Sequence, residues 1–574
     1  MHFKEIKSVF LKIPWKKVLI IFFIFAIFLL NTFHEKYPDE FDSIVGGRYI
    51  LQGKVPYRDW FQHHQPLAYL ASFFILIFSG NSFVRYRIFL AIFFFVLTTC
   101  SYLILKKRIK ENISFYFWAV VIIAFSATYF WGQMMLADTL AAYLILPAFA
   151  LVFLKGFYRE SFDKKDLIIF SAFAFLGWFT SMTYTYLLFA LYLYAFYLFF
   201  RSKKNGEKIV KKISEGGIIL LFPFLLFSIF LLITGSLDDY YFSNITYNQN
   251  YYIYNYPRPL GAPVNPVRYA IIIAHDFFNN FYPLLSGIKN LSFNDPFNST
   301  LALSNLTIFI LILLKRKYSL FIPFLAVLIY SNSRSNPAEI KETDYQAAVY
   351  ILTSTFNGFF SFFALKKILD EKNELFSFKI VSGTVLIILG AYWFFTSFFI
   401  PLKFFQKVYA KYMGQAPLIY DRPQVAPIIN KLVARDDYAW VGPFEFEELF
   451  YLQARIPSKY HWFLNHAASS DKIKTELLTD FKKNKPKIIV FNRLYAPWGG
   501  EPATFNSFFT EFLDQNYFRL FELNSKDQNF EYKWKMEKTE NFNLDGDFNF
   551  DKEYKEELIQ KLFDNDLIEK REKT

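Results

Sequence analysis

Residues 37–67 read YPDEFDSIVGGRYILQGKVPYRDWFQHHQPL, and they follow VLIIFFIFAIFLLNTF at 18–33. The earlier run is apolar over about the length that a helix needs to cross roughly 30 Å of hydrocarbon. The later run gathers Asp39, Glu40, Asp42 and Asp59 with Arg48, Arg58, His63 and His64. A segment that only joined two helices has no need of so many ionisable groups beside lipid. Their concentration points to a reaction or binding site at the membrane surface.

Outward from this segment the apolar pattern repeats. The chain has 574 residues, 54% of them hydrophobic and 22% aromatic, and the apolar blocks all lie before residue 401. Spans are expected at 18–33, 86–105, 113–130, 139–154, 167–180, 183–200, 216–235, 299–314, 318–330, 345–364 and 379–400. These make about eleven transmembrane helices. Residues 66–79, PLAYLASFFILIFS, are too short for a span and read as a re-entrant or interfacial helix.

The formal net charge of +13 does not indicate nucleic-acid binding, because the cations sit in short loops between apolar blocks. Their bias sets orientation. Lys4, Lys7, Lys12, Lys16 and Lys17, then Lys106, Lys107 and Arg108, then Lys164 and Lys165, then Arg201, Lys203 and Lys204 all fall on one side. That side is expected to be cytoplasmic, with the N-terminus. An odd number of spans then makes the C-terminal domain extracytoplasmic, in a multi-pass plasma-membrane protein. The first apolar run lacks a small-residue cleavage site and reads as a retained span. The single cysteine, Cys100, lies inside a span and supports no disulfide framework.

The expected organisation is a transmembrane domain at 1–400, an extracytoplasmic α/β domain at 401–538 and a charged tail at 539–574. The transmembrane domain carries a first external loop at 34–85 and a large external loop at 236–298. The large loop is rich in Tyr and Asn and includes YNYPRPLGAPVNP at 254–266. Its tyrosines suit either an interfacial belt or sugar stacking. In the α/β domain, YAWVG (438–442), KPKIIVFN (486–493) and YFRLFEL (517–523) read as strands alternating with helices. That alternation predicts a largely parallel sheet. The tail reads as a marginal helix or as disordered.

The ionisable groups admit specific roles. Asp39 follows Pro38 where a helix can start, so it is either an N-cap or a general base toward an acceptor hydroxyl. Asp42 and Asp59 compete for the base role. Asp138 opens a later span on the same side as Asp39, with the same N-cap alternative. Arg85 and Arg87 open the second span, where a cation binds a lipid phosphate or anchors the helix to headgroups. Arg334 and Lys341 add cations on that side. The pair His63–His64 is a weak metal signal without further His or Cys at ligand spacing. Asp39, Asp59 and Asp138 have the oxygen chemistry to hold a divalent cation, so metal dependence stays open.

One span, an external Asp39-Glu40, then Gly53-x-x-Pro56-Tyr57-x-Asp59 and Pro66-Leu67-x-Tyr69 together resemble a known family. It is the polyprenyl-phosphate-sugar-dependent glycosyltransferases of the GT-C fold, in particular bacterial relatives of protein O-mannosyltransferases and aminoarabinose transferases. The resemblance implies a GT-C-like transmembrane domain with an acidic catalytic motif at Asp39 and Glu40 and a second acid at Asp138. It also implies a donor-phosphate contact at Arg87. Where the family often has Lys-Pro-Pro-Leu this chain has His64-Gln65-Pro66-Leu67, which makes His64 a second phosphate candidate, with Arg334 as a third. The implied reaction moves a sugar from a polyprenyl-phosphate donor to a hydroxyl of a lipid, glycan or protein acceptor, with inversion. A lipid-linked-sugar flippase or secondary transporter is the rival class, although such proteins carry their charges at mid-span. No cofactor follows beyond the open question of a divalent cation.

Overall fold

The computed structural model describes residues 15–32, 34–202, 208–252, 296–331, 345–371, 376–414, 423–463, 468–491, 502–522, 532–534 and 547–570, with isolated positions between 267 and 278. The chain is a polytopic α-helical membrane protein with a C-terminal α/β domain. Each expected span corresponds to a helix. These are α1 (Trp15–Asn31), α4 (Phe83–Arg108), α5 (Ser114–Phe125), α6 (Ala137–Phe157), α7 (Lys164–Trp178) and α8 (Thr185–Arg201). They continue with α9 (Ile209–Ile233), α10 (Phe297–Leu314), α11 (Phe321–Tyr330), α12 (Ala348–Asp370) and α13 (Phe376–Tyr412). Among the described residues, seven helices are long and apolar enough to cross a membrane, and shorter apolar helices accompany them.

The expected first loop is itself helical. It holds α2 (Pro38–Leu51) and α3 (Leu67–Ser79). The two pack closely because α2 carries Gly46 and Gly47 where they cross. A Cβ on Gly47 would lie 2.7 Å from the backbone nitrogen of Phe73, and one on Gly46 would strike the ring of Tyr69. At the centre of the bundle stands α6, buried from Asp138 to Gly156. It packs against α4, α7, α8, α11 and α12. Outer helices such as α1 and α9 instead expose Leu, Ile and Phe, as a lipid-facing surface requires.

Charge clusters at the far end of α6. Arg108 bonds Asp163 and Asp166 at 2.6 Å each, and Lys155 lies 3.1 Å from Glu160. Asp163 and Asp166 also close a capping box at the start of α7. These bonds fasten α4, α6 and α7 at the end opposite Asp138. At 37 residues, α13 is about 55 Å long at 1.5 Å per residue, so it overreaches the hydrocarbon core.

The C-terminal domain contains α14 (Ala426–Leu432), β1 (Ala439–Gly442), α15 (Phe446–Tyr451), α16 (Asp471–Lys483), β2 (Ile488–Phe491) and α17 (Pro502–Asn516). After them come β3 (Tyr517–Glu522), β4 (Tyr532–Trp534), β5 (Asp547–Asp551), α18 (Lys555–Asp564) and β6 (Ile568–Lys570). The main sheet runs β1-β2-β5-β3, and β4 pairs with β6. Trp440 of β1 centres its core, with the rings of Phe463, Phe481, Phe491 and Phe509 around it.

Two expectations are corrected here. The main sheet is mostly antiparallel: only β1–β2 is parallel, while β2–β5 and β5–β3 are antiparallel. The cause is the second correction. Residues 547–551 of the expected charged tail form an interior strand, with Phe548 and Phe550 fully buried, and α18 buries Leu558, Ile559 and Leu562. Residues 547–570 therefore belong to the domain that was expected to end at 538.

Candidate active site

Two helix N-termini meet at one cavity. The chain enters α2 through Tyr37 in extended conformation with Pro38 at the first helical position, so Asp39 lies in the first turn and is not the N-cap. The cap of α6 is Leu136, so Asp138 likewise sits inside the first turn. A first-turn carboxylate is favoured by the helix dipole, and both acids line the same cavity. Asp42 lies one turn beyond Asp39 on the same face of α2.

The cavity holds about 810 Å³, counting its open mouth. Asp39, Asp42, His63, His64, Tyr69 and Asp138 line it, with Tyr252, Tyr345, Phe444, Phe446 and Trp462. Tyr345 donates to Asp39 Oδ2 at 3.1 Å, and its ring stacks on Trp131 at 5.1 Å. Asp42 is buried and accepts from Gln62 Nε2 at 2.9 and 3.1 Å and from Tyr69 OH at 3.0 Å. Burial, reinforced by the nearby charge of Asp39, pushes Asp42 up to about 7, and the bonds from Tyr69 and Gln62 oppose the rise. Two neighbouring carboxylates thus experience different environments, the arrangement by which acid and base roles are separated.

The histidines are held by their backbone. The His63 amide donates to Gln62 Oε1 at 2.9 Å, and its carbonyl accepts from Asn248 Nδ2 at 3.1 Å. The His64 carbonyl accepts from Tyr57 OH at 3.1 Å. The two imidazoles lie against each other, tilted by 39°, with centroids 3.9 Å apart. Among the described residues lining the cavity, they are the groups able to carry positive charge. No cluster of three or more His, Cys, Asp or Glu side chains able to hold a metal ion occurs among the described residues.

Other expected site residues lie elsewhere. Glu40 turns away from the cavity and pairs with Arg87 at 2.6 Å, both side chains being fully enclosed. Arg87 also donates to the carbonyls of Glu35 at 2.9 Å and Thr32 at 3.5 Å. It borders a smaller void with Phe28, Asn31 and Phe94. Arg87, expected at the donor phosphate, here braces the α1–α2 connection. Asp59 is not among the residues lining the cavity. It accepts from the Val55 amide at 2.7 Å and from Arg58 at 2.8 and 2.9 Å, closing a turn in which Gly53 and Tyr57 take positive φ. Arg58 holds its carboxyl below the usual range. Arg85 is exposed at the start of α4. Arg334, Lys341 and the Pro-rich piece at 254–266 lie outside the described residues.

Sequence reasoning missed the contribution of the C-terminal domain. Arg48 of α2 donates to the carbonyls of Leu449, Phe450 and Leu452, satisfying the C-terminal end of α15. Phe61 N bonds Lys459 O at 2.9 Å, and Lys36 pairs with Glu447 at 2.6 Å. This docking brings Phe444, Phe446 and Trp462 to the cavity wall. No spacing in the sequence signals it, since Arg48 and its partners are some four hundred residues apart.

No protein-family model matches the chain, and no curated protein matches it. Among solved structures, the chain is similar to the crystal structure of ArnT from Cupriavidus metallidurans bound to undecaprenyl phosphate. The match covers 93% of this chain and 97% of that one, with a TM-score of 0.43 and 11% sequence identity.

Proposed function

We propose that this chain is an integral-membrane glycosyltransferase that moves a sugar from a polyprenyl-phosphate donor to an acceptor hydroxyl. The observation that carries the reading is the meeting of Asp39 and Asp138, from two helix starts far apart in sequence, in a cavity that also presents two adjacent imidazoles. Anionic oxygens beside donor side chains suit a displacement in which a hydroxyl loses a proton while a phosphate gains charge.

In this reading the acceptor oxygen bonds to the anomeric carbon as the bond from that carbon to the phosphate oxygen breaks. The bonding pair leaves with the phosphate, and the acceptor proton passes to Asp39. Tyr345 orients Asp39. Asp138, facing the same space, carries negative charge toward the electron-poor anomeric centre. His64, beside His63, meets the growing phosphate charge. Glu40 and Arg87 act at one remove by fixing the start of α2. The cavity end of the bundle faces outward in the plasma membrane, with the N-terminus in the cytoplasm, and the isoprenoid tail of the donor stays in lipid.

The test is reconstitution of the full chain in vesicles with radiolabelled undecaprenyl-phosphate sugars and envelope extract as the acceptor source. Label appearing in a product that no longer partitions with the lipid donor supports the proposal. Movement of labelled lipid between leaflets without transfer replaces it with a flippase.

A further inference from the structure

The C-terminal domain supplies Phe444, Phe446 and Trp462 to the cavity wall. Phe444 and Phe446 lie just beyond the carboxyl end of β1, where open α/β sheets place ligands. Trp462 lies on the segment that runs back beside β1, where Phe463 N bonds Pro443 O at 3.1 Å and Trp440 Nε1 bonds His461 O at 3.0 Å. The rings touch as a group. Phe444 and Phe446 are 4.6 Å apart, and Trp462 is 6.0 Å from one and 6.2 Å from the other. Trp462 also lies 5.5 Å from His63, so the wall continues into the first loop.

Asp39, Asp42 and Asp138 line the same cavity. A space lined by both aromatic faces and carboxylates matches a ligand with an apolar face and a rim of hydroxyls. A pyranose ring has that form. Its axial C–H bonds carry partial positive charge and rest against the negative face of an aromatic ring. Its hydroxyls donate to carboxylates.

We propose that Phe444, Phe446 and Trp462 form the acceptor subsite and that the acceptor is a carbohydrate ring. The inference rests on the glycosyltransferase reading above and narrows its acceptor class. The side of entry assigns the wall to the acceptor. A polyprenyl donor keeps its tail in hydrocarbon and reaches the cavity between apolar helices. The aromatic wall belongs to the domain beyond α13, among whose described residues no helix is long and apolar enough to cross a membrane. It therefore faces the donor from the water side. The wall is also preorganised, because Arg48, Lys36 and Phe61 lock the domain onto the loop before any ligand arrives.

The experiment uses the full chain in nanodiscs and two probes. Undecaprenyl phosphate is followed by native mass spectrometry, and a panel of methyl pyranosides by saturation-transfer NMR. The wild type is expected to retain the lipid and to show saturation of the ring C–H protons of at least one pyranoside. Trp462→Ala and, separately, Phe444→Ala should cut that saturation at least fivefold while lipid retention stays at the wild-type level. Trp462→Phe should keep most of it. Phe444 is only partly buried, so its replacement guards against a folding failure at Trp462. A wild type that retains lipid but saturates no pyranoside overturns the inference alone. So do equal signals from the wild type and both alanine variants, or saturation of a Ser/Thr peptide in place of the sugars. A wild type that does not retain the lipid overturns the glycosyltransferase reading and the inference with it.

Discussion

Arg87 distinguishes a structural brace from a substrate contact. Arg87→Ala removes the partner of a carboxylate that has no exposed surface, together with two bonds to the carbonyls of Glu35 and Thr32. Breaking one side of a buried ion pair costs about 3–5 kcal/mol, because the surviving charge stays desolvated. Burial already pushes the Glu40 carboxyl up, and Arg87 is the chief influence holding it down. Without Arg87 the carboxyl takes up a proton more readily, and acid relieves part of the loss. The thermal midpoint of Arg87→Ala in detergent should therefore fall by several degrees at pH 8 and by less at pH 5.5. Glu40→Gln in the Arg87→Ala background should recover part of the loss, since no buried charge remains. The Glu40→Leu, Arg87→Met pair should approach wild-type stability, as apolar replacements of buried ion pairs do. Undecaprenyl phosphate retention, measured well below the unfolding range, should be unchanged in that pair. Arg87→Ala at wild-type stability but without lipid retention would refute the reasoning and restore Arg87 to the donor phosphate.

Three further outcomes follow from particular contacts. Asp42 titrates at about 7 when folded, against an ordinary 3.8, so its proton is held more tightly by the folded chain. The stabilisation is complete below the ordinary value, is lost as pH rises through about 7, and is on the order of 4 kcal/mol; melting curves from pH 4 to 8 should slope downward in the wild type and flatten in Asp42→Asn. Arg48→Ala removes three bonds to the end of α15 and should cost about 2 kcal/mol or more locally, which hydrogen–deuterium exchange would report as faster exchange in Phe446–Tyr451, and unchanged exchange there would contradict the docking argument. Reporter fusions after residues 108 and 204 should read cytoplasmic and those after 60 and 420 external, and a cytoplasmic signal at 420 would reverse the proposed sidedness.

The transmembrane half was legible because hydrocarbon imposes a length and a composition on each helix. Runs such as 86–105 carry that imprint in any order of residues. The stretch at 66–79 reads as a short apolar helix, and α3 (Leu67–Ser79) is one. The sheet was less legible. DFNFD at 547–551 alternates like a strand, but the charges around it in a tail rich in Glu and Lys conceal a segment that pairs with β2 and β3. Asp39 and Asp138 were singled out by their place at helix starts, and the fold brings them together. Glu40 and Arg87 were singled out by resemblance, and what the sequence could not convey is that they face each other. Trp462 carried no signal, because its role depends on how one folded unit rests upon another.

The central claim is that Asp39 takes the acceptor proton, and the most direct test is transfer by Asp39→Asn under single-turnover conditions. Asparagine keeps the size and most hydrogen bonds of the site but is no base at neutral pH. Transfer from the undecaprenyl-phosphate sugar should fall by at least about a hundredfold, the range for loss of a general base. The thermal midpoint and lipid retention should match the wild type. Transfer within a few-fold of the wild type would contradict the account and pass the base role to Asp42 or Asp138.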